Sequence, residues 1–217
     1  MLNSSSEIDD YINELVYGHK IDFPKIITLF LLIKEKGPIG RYKIVKELEI
    51  PEGIARGALS YLTNLGFFHK TKKGTVLTET GSSILSMIFK KTGIKSIKNF
   101  NFDFMALDSC CAVAQLSHRK SLNVLTLRDK AVRAGASAFM LISYERDRFV
   151  IPKVYKDIST VFPPLAEKLS KEFSLTDGDL LASAFARNAW KAYEALISVA
   201  INDYTYLITS SNKRKFL

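Results

Sequence analysis

Residues 24–90 contain three helical segments followed by a short basic hairpin, and this order constrains the fold more than any other feature of the chain. The second and third segments, 41–48 and 52–65, carry apolar residues at steps of three and four, as amphipathic helices do. The hairpin, 67–77, has strand-like residues on both sides of Lys73-Gly74, a plausible tight-turn pair. This order predicts a winged helix-turn-helix over residues 24–90, in which Thr78 caps a further helix over 79–90.

The third helical segment has an apolar face and an opposite, polar face that a groove of duplex DNA could accommodate. Arg and Ser side chains on the polar face can contact base edges, whereas the hairpin lysines and the start of the second helix suit phosphates. Gly57 on the polar face either permits close approach of a nucleic-acid backbone or marks a close helix crossing. The candidate DNA-binding residues are Arg41, Tyr42, Lys43, Arg56, Gly57, Ser60, Tyr61, Asn64, Lys70, Lys72 and Lys73.

The positive charge of the chain is densest in the segment that carries this pattern. The 217 residues have a formal net charge of +9 and a pI near 9.4. Residues 20–95 hold 14 Lys and Arg against 6 Asp and Glu, whereas residues 96–217 hold 17 against 12. A basic surface suits a polyanionic partner, although it can also be the solvated face of a protein-binding domain.

The second half of the chain has a different pattern of helical and strand-like segments. Strand-like residues in 102–116 are followed by a helix, a hairpin of strands 138–144 and 148–154, a second helix in 160–173, a small-residue strand and a final Ala-rich helix in 188–202. This order predicts a two-layer α+β sandwich, so the whole chain is assigned to the α+β class. The predicted domains are an N-terminal amphipathic helix in 1–23, the winged helix in 24–90, a linker in 91–101 and the α+β domain in 102–217.

The sequence offers little for catalysis or metal binding. The three histidines lie far apart, and no pair of ligands has metal-site spacing. Asp108 and Ser109 precede the two cysteines and could suggest a nucleophile, but no histidine motif accompanies them. Cys110 and Cys111 are poorly placed to form a disulfide with each other, because adjacent side chains on a strand point to opposite faces. We therefore expect no catalytic residue, no metal, no cofactor and two reduced thiols.

A further charged group could belong either to a pocket or to an outer face. Arg128, Asp129 and Arg133 lie on the first helix of the second domain, and Asp177 and Asp179 precede its small-residue strand. The outer face is the preferred interpretation.

The sequence gives no sign of a membrane-spanning or secreted protein. The longest apolar run, 26–33, is broken by Thr28 and is too short to span a bilayer. The N-terminus lacks the pattern of a signal peptide, so we expect a cytoplasmic protein with no membrane partner.

The chain resembles a family of uncharacterised archaeal winged-helix proteins. The resemblance covers residues 24–202 and rests on five motifs: Gly37-Pro38-Ile39-Gly40-Arg41-Tyr42; Glu52-Gly53 with Arg56; Leu77-Thr78-Glu79-Thr80-Gly81; Leu127-Arg128-Asp129-Lys130-Ala131 with Ala134-Gly135-Ala136; and Asp177-Gly178-Asp179. In that family the second domain is similar to the GAD domain of bacterial-type aspartyl-tRNA synthetases and amidotransferases. The resemblance therefore implies a small GAD-like module without catalytic residues, with a ferredoxin-like arrangement as the other form of the sandwich.

These observations predict a DNA-binding transcriptional regulator of archaeal type that acts as a homodimer. Its winged helix would contact double-stranded DNA, and its second domain would dimerise or sense a small-molecule effector. Two alternatives remain open. One is an RNA- or tRNA-associated binding module, suggested by the GAD-like resemblance and the basic residues Lys213, Arg214 and Lys215. The other is a protein-interaction adaptor built on a winged helix.

Overall fold

The structure is a computed structural model that describes Ile12, Leu15 and residues 21–101, 107–117 and 123–213, with side chains described as far as Ile201. The chain divides into two compact units, residues 1–92 with 201–217 and residues 93–200. The predicted helix in 1–23 lies almost wholly outside the described residues. Only Ile12 and Leu15 of its apolar face are described, and both are helical and fully buried.

The first unit contains the helices and the hairpin predicted for a winged helix. Helices α1 (Phe23–Lys36), α2 (Arg41–Leu48) and α3 (Glu52–Asn64) are followed by strands β1 (Phe68–Thr71) and β2 (Gly74–Leu77) and by helix α4 (Glu79–Thr92). Its core is aromatic as well as aliphatic, since the ring of Phe30 lies 4.8 Å from that of Phe68 and 5.8 Å from that of Phe67. Each such ring contributes about 2–3 kcal/mol when fully buried.

The hairpin turn differs from the prediction by one residue. Thr71 pairs with Gly74, so Lys72 and Lys73 form the turn rather than Lys73 and Gly74. Gly74 is needed for another reason. A Cβ atom at Gly74 would lie 2.6 Å from the carbonyl carbon of Ile39, which pairs with Thr75 beside the hairpin. Gly74 therefore allows a third backbone segment to close against the hairpin of β1 and β2, which is called the wing below.

Helix α4 begins at a cap that also fixes the base of the wing. The Thr78 hydroxyl accepts a hydrogen bond from the Gly81 N–H at 3.0 Å and donates to the Gly66 carbonyl at 2.7 Å. A Cβ atom at Gly81 would lie 2.2 Å from the carbonyl oxygen of Phe67. The predicted cap at Thr78 is confirmed, and Gly81 is required by close packing on the backbone.

The second unit is one antiparallel sheet with helices. Its strands are β3 (Ile94–Asn99), β4 (Cys110–Leu116), β5 (Ala138–Glu145), β6 (Arg148–Val150) and β7 (Leu180–Ala186), in the spatial order β3-β4-β7-β5-β6. Its helices are α5 (Val124–Arg133), α6 (Pro163–Glu172) and residues 189–200 of α7 (Ala189–Lys213), with a short 3₁₀ turn at Ile158–Thr160. The predicted α+β class is confirmed.

The two faces of this sheet differ in side-chain size. One face packs Val113, Ile142, Leu181 and Phe185 against α6 and the aromatic rings around it. The other face carries mostly small residues on β4 and β7, including Ala112, Ala114, Ala182, Ala184 and Ala186, all fully buried. Because strand residues alternate between faces, Leu141, Ser143 and Leu180 also lie on the small-residue face.

Several predicted boundaries in this unit are wrong. The predicted linker 91–101 contains β3, whose partly buried residues pair with β4 at the sheet edge. The predicted strand in 102–116 is described only from 107, and it begins at Cys110. The strand predicted for 148–154 ends at Val150, before Pro152, which has no N–H to donate.

Three further predictions differ from the structure because strand pairing and helix length depend on distant residues. The final helix, predicted for 188–202, continues to Lys213. A ferredoxin-like order would place β4 between β7 and β6, whereas β4 lies between β3 and β7. The helix predicted for 160–173 is shorter and begins at Pro163, a favourable first position.

Candidate nucleic-acid interface

The polar face of α3 is exposed as predicted. Arg56, Ser60 and Asn64 are exposed, and Tyr61 is half-buried at the edge. Gly57 is also exposed, and a Cβ atom built on it would have no heavy atom within 4 Å. Among the described residues, no neighbouring helix packs closely on Gly57, so a helix crossing does not explain this glycine. The backbone of α3 is therefore accessible to an external molecule at Gly57.

The carboxylate of Glu52 joins the two arginines that the sequence singled out. One oxygen, Oε1, lies 2.9 Å from Arg41 Nη2 at the start of α2 and 3.3 Å from Arg56 Nη2 on α3. The pair with Arg56 spans one helical turn, a spacing at which Glu and Arg side chains meet. The three side chains are between one third and two thirds exposed, so this cluster lies at the surface.

The start of α2 combines an aromatic ring with positive charge. Tyr42 is 72% exposed, and the Arg41 guanidinium lies over its ring at 5.3 Å from the centroid. Arg41 Nε–H is buried and has no hydrogen-bond partner among the described residues. Gly40 precedes the helix without a side-chain cap, so the first backbone N–H groups of α2 are available to an external acceptor.

The wing presents three lysines from a well-fixed tip. Lys70, Lys72 and Lys73 are exposed. The Thr71 hydroxyl donates to the Gly74 carbonyl at 2.8 Å and accepts from the Lys73 N–H at 3.2 Å. The structure brings Arg41, Tyr42 and Arg56 together through Glu52, but no described contact joins the wing lysines or Lys43 to that cluster.

The site residue that sequence analysis missed is Glu52. Its position on the polar face was visible, but an acidic residue does not suggest a surface for a polyanion. The signal that could have identified it is the spacing of four residues to Arg56 on one helix. Its contact with Arg41 depends on the packing of α2 against α3, which the sequence does not specify.

The Asp177-Gly178-Asp179 motif is part of a structural network in the second unit. Asp179 is 2% exposed and accepts hydrogen bonds from Lys95 Nζ at 2.6 Å, from Gln115 Nε2 at 2.7 Å and from the Thr176 N–H at 3.0 Å. Burial alone would raise the pKa of Asp179, but these hydrogen bonds outweigh it and lower the pKa below its ordinary value of 3.8. This network ties β3, β4 and the start of β7 together.

Other polar groups in this unit also have structural partners. Asp108 accepts hydrogen bonds from the Ser137 hydroxyl and from the Ser109 N–H, and these bonds lower its pKa. Arg128, Asp129 and Arg133 are exposed, so the outer-face interpretation holds for them, and no described contact joins them to Asp177 or Asp179.

The adjacent cysteines are both free, as predicted. Cys111 is buried on the aromatic face of the sheet, and burial raises the pKa of its thiol to about 12. A thiol with that pKa stays protonated at neutral pH, so it is a poor nucleophile.

No group of three or more His, Cys, Asp or Glu side chains within the described ranges could hold a metal ion. None of the helices, as far as they are described, is long and apolar enough to cross a membrane.

Two family models each match one part of this chain. The family model "PH0730-like, N-terminal domain" matches residues 24–83, and "Domain of unknown function (DUF4443)" matches residues 107–203. The chain is similar in structure to "Hypothetical protein PH0730 from Pyrococcus horikoshii OT3", with a TM-score of 0.65 and 24% sequence identity over 82% of this chain and 90% of that chain. The likeness to that structure shows a shared fold. No protein of curated function matches.

Proposed function

We propose that this protein is a cytoplasmic, non-catalytic transcriptional regulator whose first unit binds duplex DNA as a winged helix. The observation that carries the proposal is the exposed polar face of α3, with Arg56, Ser60 and Asn64 beside the uncovered Gly57 backbone. A helix inserted in the major groove needs such a face, because its side chains must reach base edges while its backbone comes close to the sugar-phosphate chains.

The residues around α3 supply groups that suit phosphates. Arg41, Lys43 and the uncapped start of α2 combine positive side chains with free N–H groups. The exposed lysines of the wing provide a second set of positive charges. The excess of basic residues in 20–95 supports a polyanionic partner for this unit rather than for the second one.

Glu52 would weaken non-specific binding at this surface and so increase its selectivity for particular DNA sequences. By neutralising part of the charge of Arg41 and Arg56, it lowers the attraction for any polyanion and holds the two guanidinium groups in one geometry. Bidentate contact between arginine and a guanine edge then discriminates between sequences by about 1–3 kcal/mol. Homodimer formation and an effector for the second unit stay predictions.

Duplex binding measured against salt tests the proposal. We expect affinity for mixed-sequence duplex DNA to fall by about a hundredfold or more between roughly 50 and 200 mM salt, because phosphate contacts release counterions. A folded protein that binds no duplex at low salt contradicts the proposal. Tighter binding of a structured RNA in direct competition would favour the RNA-associated alternative, and a partner protein bound independently of salt would favour the adaptor.

Single substitutions separate base contacts from phosphate contacts. Lys73→Ala should weaken binding to all sequences alike and reduce the salt slope by about one unit. Arg56→Ala should reduce the difference between preferred and random sequences by about tenfold or more. The matched control is Lys90→Ala, which removes one exposed charge from α4, outside the proposed surface. A control variant that loses as much affinity as Lys73→Ala would show that only net charge matters.

A further inference from the structure

A cavity of about 840 Å³ lies within the second unit, on the small-residue face of its sheet. Its floor is formed by Leu141, Ser143 and Leu180, which are adjacent on the paired strands β5 and β7. Val124 and Leu125 at the start of α5 and Pro152 form apolar walls. This size is in the range of sites that bind small organic molecules.

Apolar side chains are exposed at the mouth of the cavity. Leu125 is 67% exposed and Val124 is 36% exposed, although both are large hydrophobic residues. Val154, which follows the lining residues Pro152 and Lys153, is 64% exposed. Exposed apolar residues beside a concave surface are typical of a binding site, because a bound apolar molecule would remove them from water.

The polar rim of the cavity is held in place by backbone contacts. The Asp177 carboxylate accepts a hydrogen bond from the Arg146 N–H at 2.6 Å, and the Gly178 N–H donates to the Tyr144 carbonyl at 2.8 Å. These bonds fix the turn before β7 against the β5–β6 hairpin. The cavity therefore requires no large rearrangement to accept a ligand.

The charged groups of the rim are predominantly acidic. Glu145 and Asp177 contribute two carboxylates, and Lys153 contributes one ammonium group. None of these three side chains forms an ion pair with another residue in the part of the chain that the structure describes. The start of α5 does not offer an anion site, because Asn123 already accepts hydrogen bonds from the Leu125 and Thr126 N–H groups. The remaining acceptors favour a cation.

We propose that this cavity binds an amphipathic amine, a molecule with an apolar body and a protonated amino group. The apolar body contacts Leu141, Leu180 and the exposed side chains at the mouth. The ammonium group lies between the carboxylates of Glu145 and Asp177, with the Ser143 hydroxyl as a further acceptor. This assignment is independent of the proposed binding of DNA, because every residue of the cavity belongs to the second unit.

Three probes with the same ten-carbon body and different head groups test the assignment on the full chain. Decylamine, decanol and decanoate are titrated separately by calorimetry near neutral pH, below the concentrations at which they form micelles. We expect decylamine to bind about tenfold or more tightly than decanol, and decanoate to bind most weakly. Equal affinities, tighter binding of decanoate, or no binding of any probe would overturn the proposal.

Two isosteric substitutions locate the amino group. Asp177→Asn and Glu145→Gln keep the shape of the rim and should each reduce the preference for decylamine over decanol several-fold, while decanol binding stays unchanged. The control is Asp129→Asn, which removes an exposed carboxylate on α5 that does not line the cavity. If the control reduces the preference as much as the rim variants, the selectivity comes from the general charge of the protein and the assigned site is wrong.

Discussion

Each unit contains a carboxylate that accepts hydrogen bonds or ion pairs from side chains on separate elements, and the two carboxylates differ in burial. Asp179 is almost fully buried and joins Lys95 and Gln115 across the sheet of the second unit. Glu52 is about 40% exposed and joins Arg41 to Arg56 at the surface of the first unit. The same chemistry therefore serves two purposes.

Burial decides which purpose each carboxylate can serve. Removing one partner of a buried network leaves the other charged and polar groups without solvation, so Asp179 stabilises the sheet. An exposed ion pair contributes at most about 1 kcal/mol, so its partners can exchange it for an external ligand at little cost. The comparison predicts a large effect on stability at Asp179 and a large effect on binding at Glu52.

The largest expected effect is that of Asp179→Ala. We expect the free energy of unfolding to fall by about 3 kcal/mol, because the buried Gln115 amide loses one of its acceptors and the Thr176 N–H loses its acceptor. Urea unfolding, followed by the fluorescence of Trp190 in the second unit, measures it. The control is Glu167→Ala, an exposed carboxylate paired with Lys171, which should cost less than about 1 kcal/mol. Similar losses for both variants would contradict the comparison.

The pH dependence of stability should report the same network. Since the pKa of Asp179 is lowered in the folded protein, its contribution is present above the unfolded-state pKa, near 3.8, and is lost as the pH falls through the lower folded-state value. Asp179→Asn, which does not titrate, should be less stable at pH 7 but lose less stability between pH 5 and 2. Parallel pH profiles for the two proteins would show that Asp179 does not control acid unfolding.

Two glycines of the first unit should respond in opposite directions. Gly81→Ala should cost about 1–3 kcal/mol, because the new methyl group meets the Phe67 carbonyl. Gly57→Ala should stabilise the unit by up to about 1 kcal/mol, because alanine favours the helix and no neighbour is displaced. Duplex binding by Gly57→Ala should nevertheless weaken if the α3 backbone approaches DNA. Thermal unfolding and the salt titration check both effects.

The smallest effect on stability and an increase in binding are expected for Glu52→Gln. The loss of two exposed ion pairs should change the free energy of unfolding by less than about 1 kcal/mol. Affinity for random duplex DNA at low salt should rise several-fold, while discrimination between sequences falls. An unchanged affinity would show that Glu52 does not weaken non-specific binding of DNA. Lys90→Ala again serves as the control for net charge.

Local sequence patterns were sufficient for the first unit because its elements are consecutive. The apolar spacing of α2 and α3 and the cap at Thr78 depend on residues a few positions apart, and the structure confirms them. The hairpin turn was predicted one residue too late because the conformation of Gly74 depends on its packing against Ile39, which lies 35 positions earlier in the sequence.

The candidate sites were predictable only in part. The exposure of Arg56, Ser60 and the wing lysines follows from helical and hairpin periodicity. Periodicity does not predict the pairing of Arg41 with Glu52 or the cavity beside Leu141, because each is formed by separate elements that pack together. In the second unit, β3 was missed because its basic residues suggested a linker, whereas pairing with β4 makes it an edge strand.

The sequence by itself determined the order of helices and strands except for β3, the concentration of positive charge in 20–95 and the polar face of α3. These properties depend on side-chain periodicity and composition, which are local. Only the tertiary structure decided the strand order, the burial of Asp179 and the contact of Glu52 with Arg41. The physical reason is that desolvation is set by what packs around a group, and two carboxylates that are equivalent in a sequence become different once one of them loses contact with water.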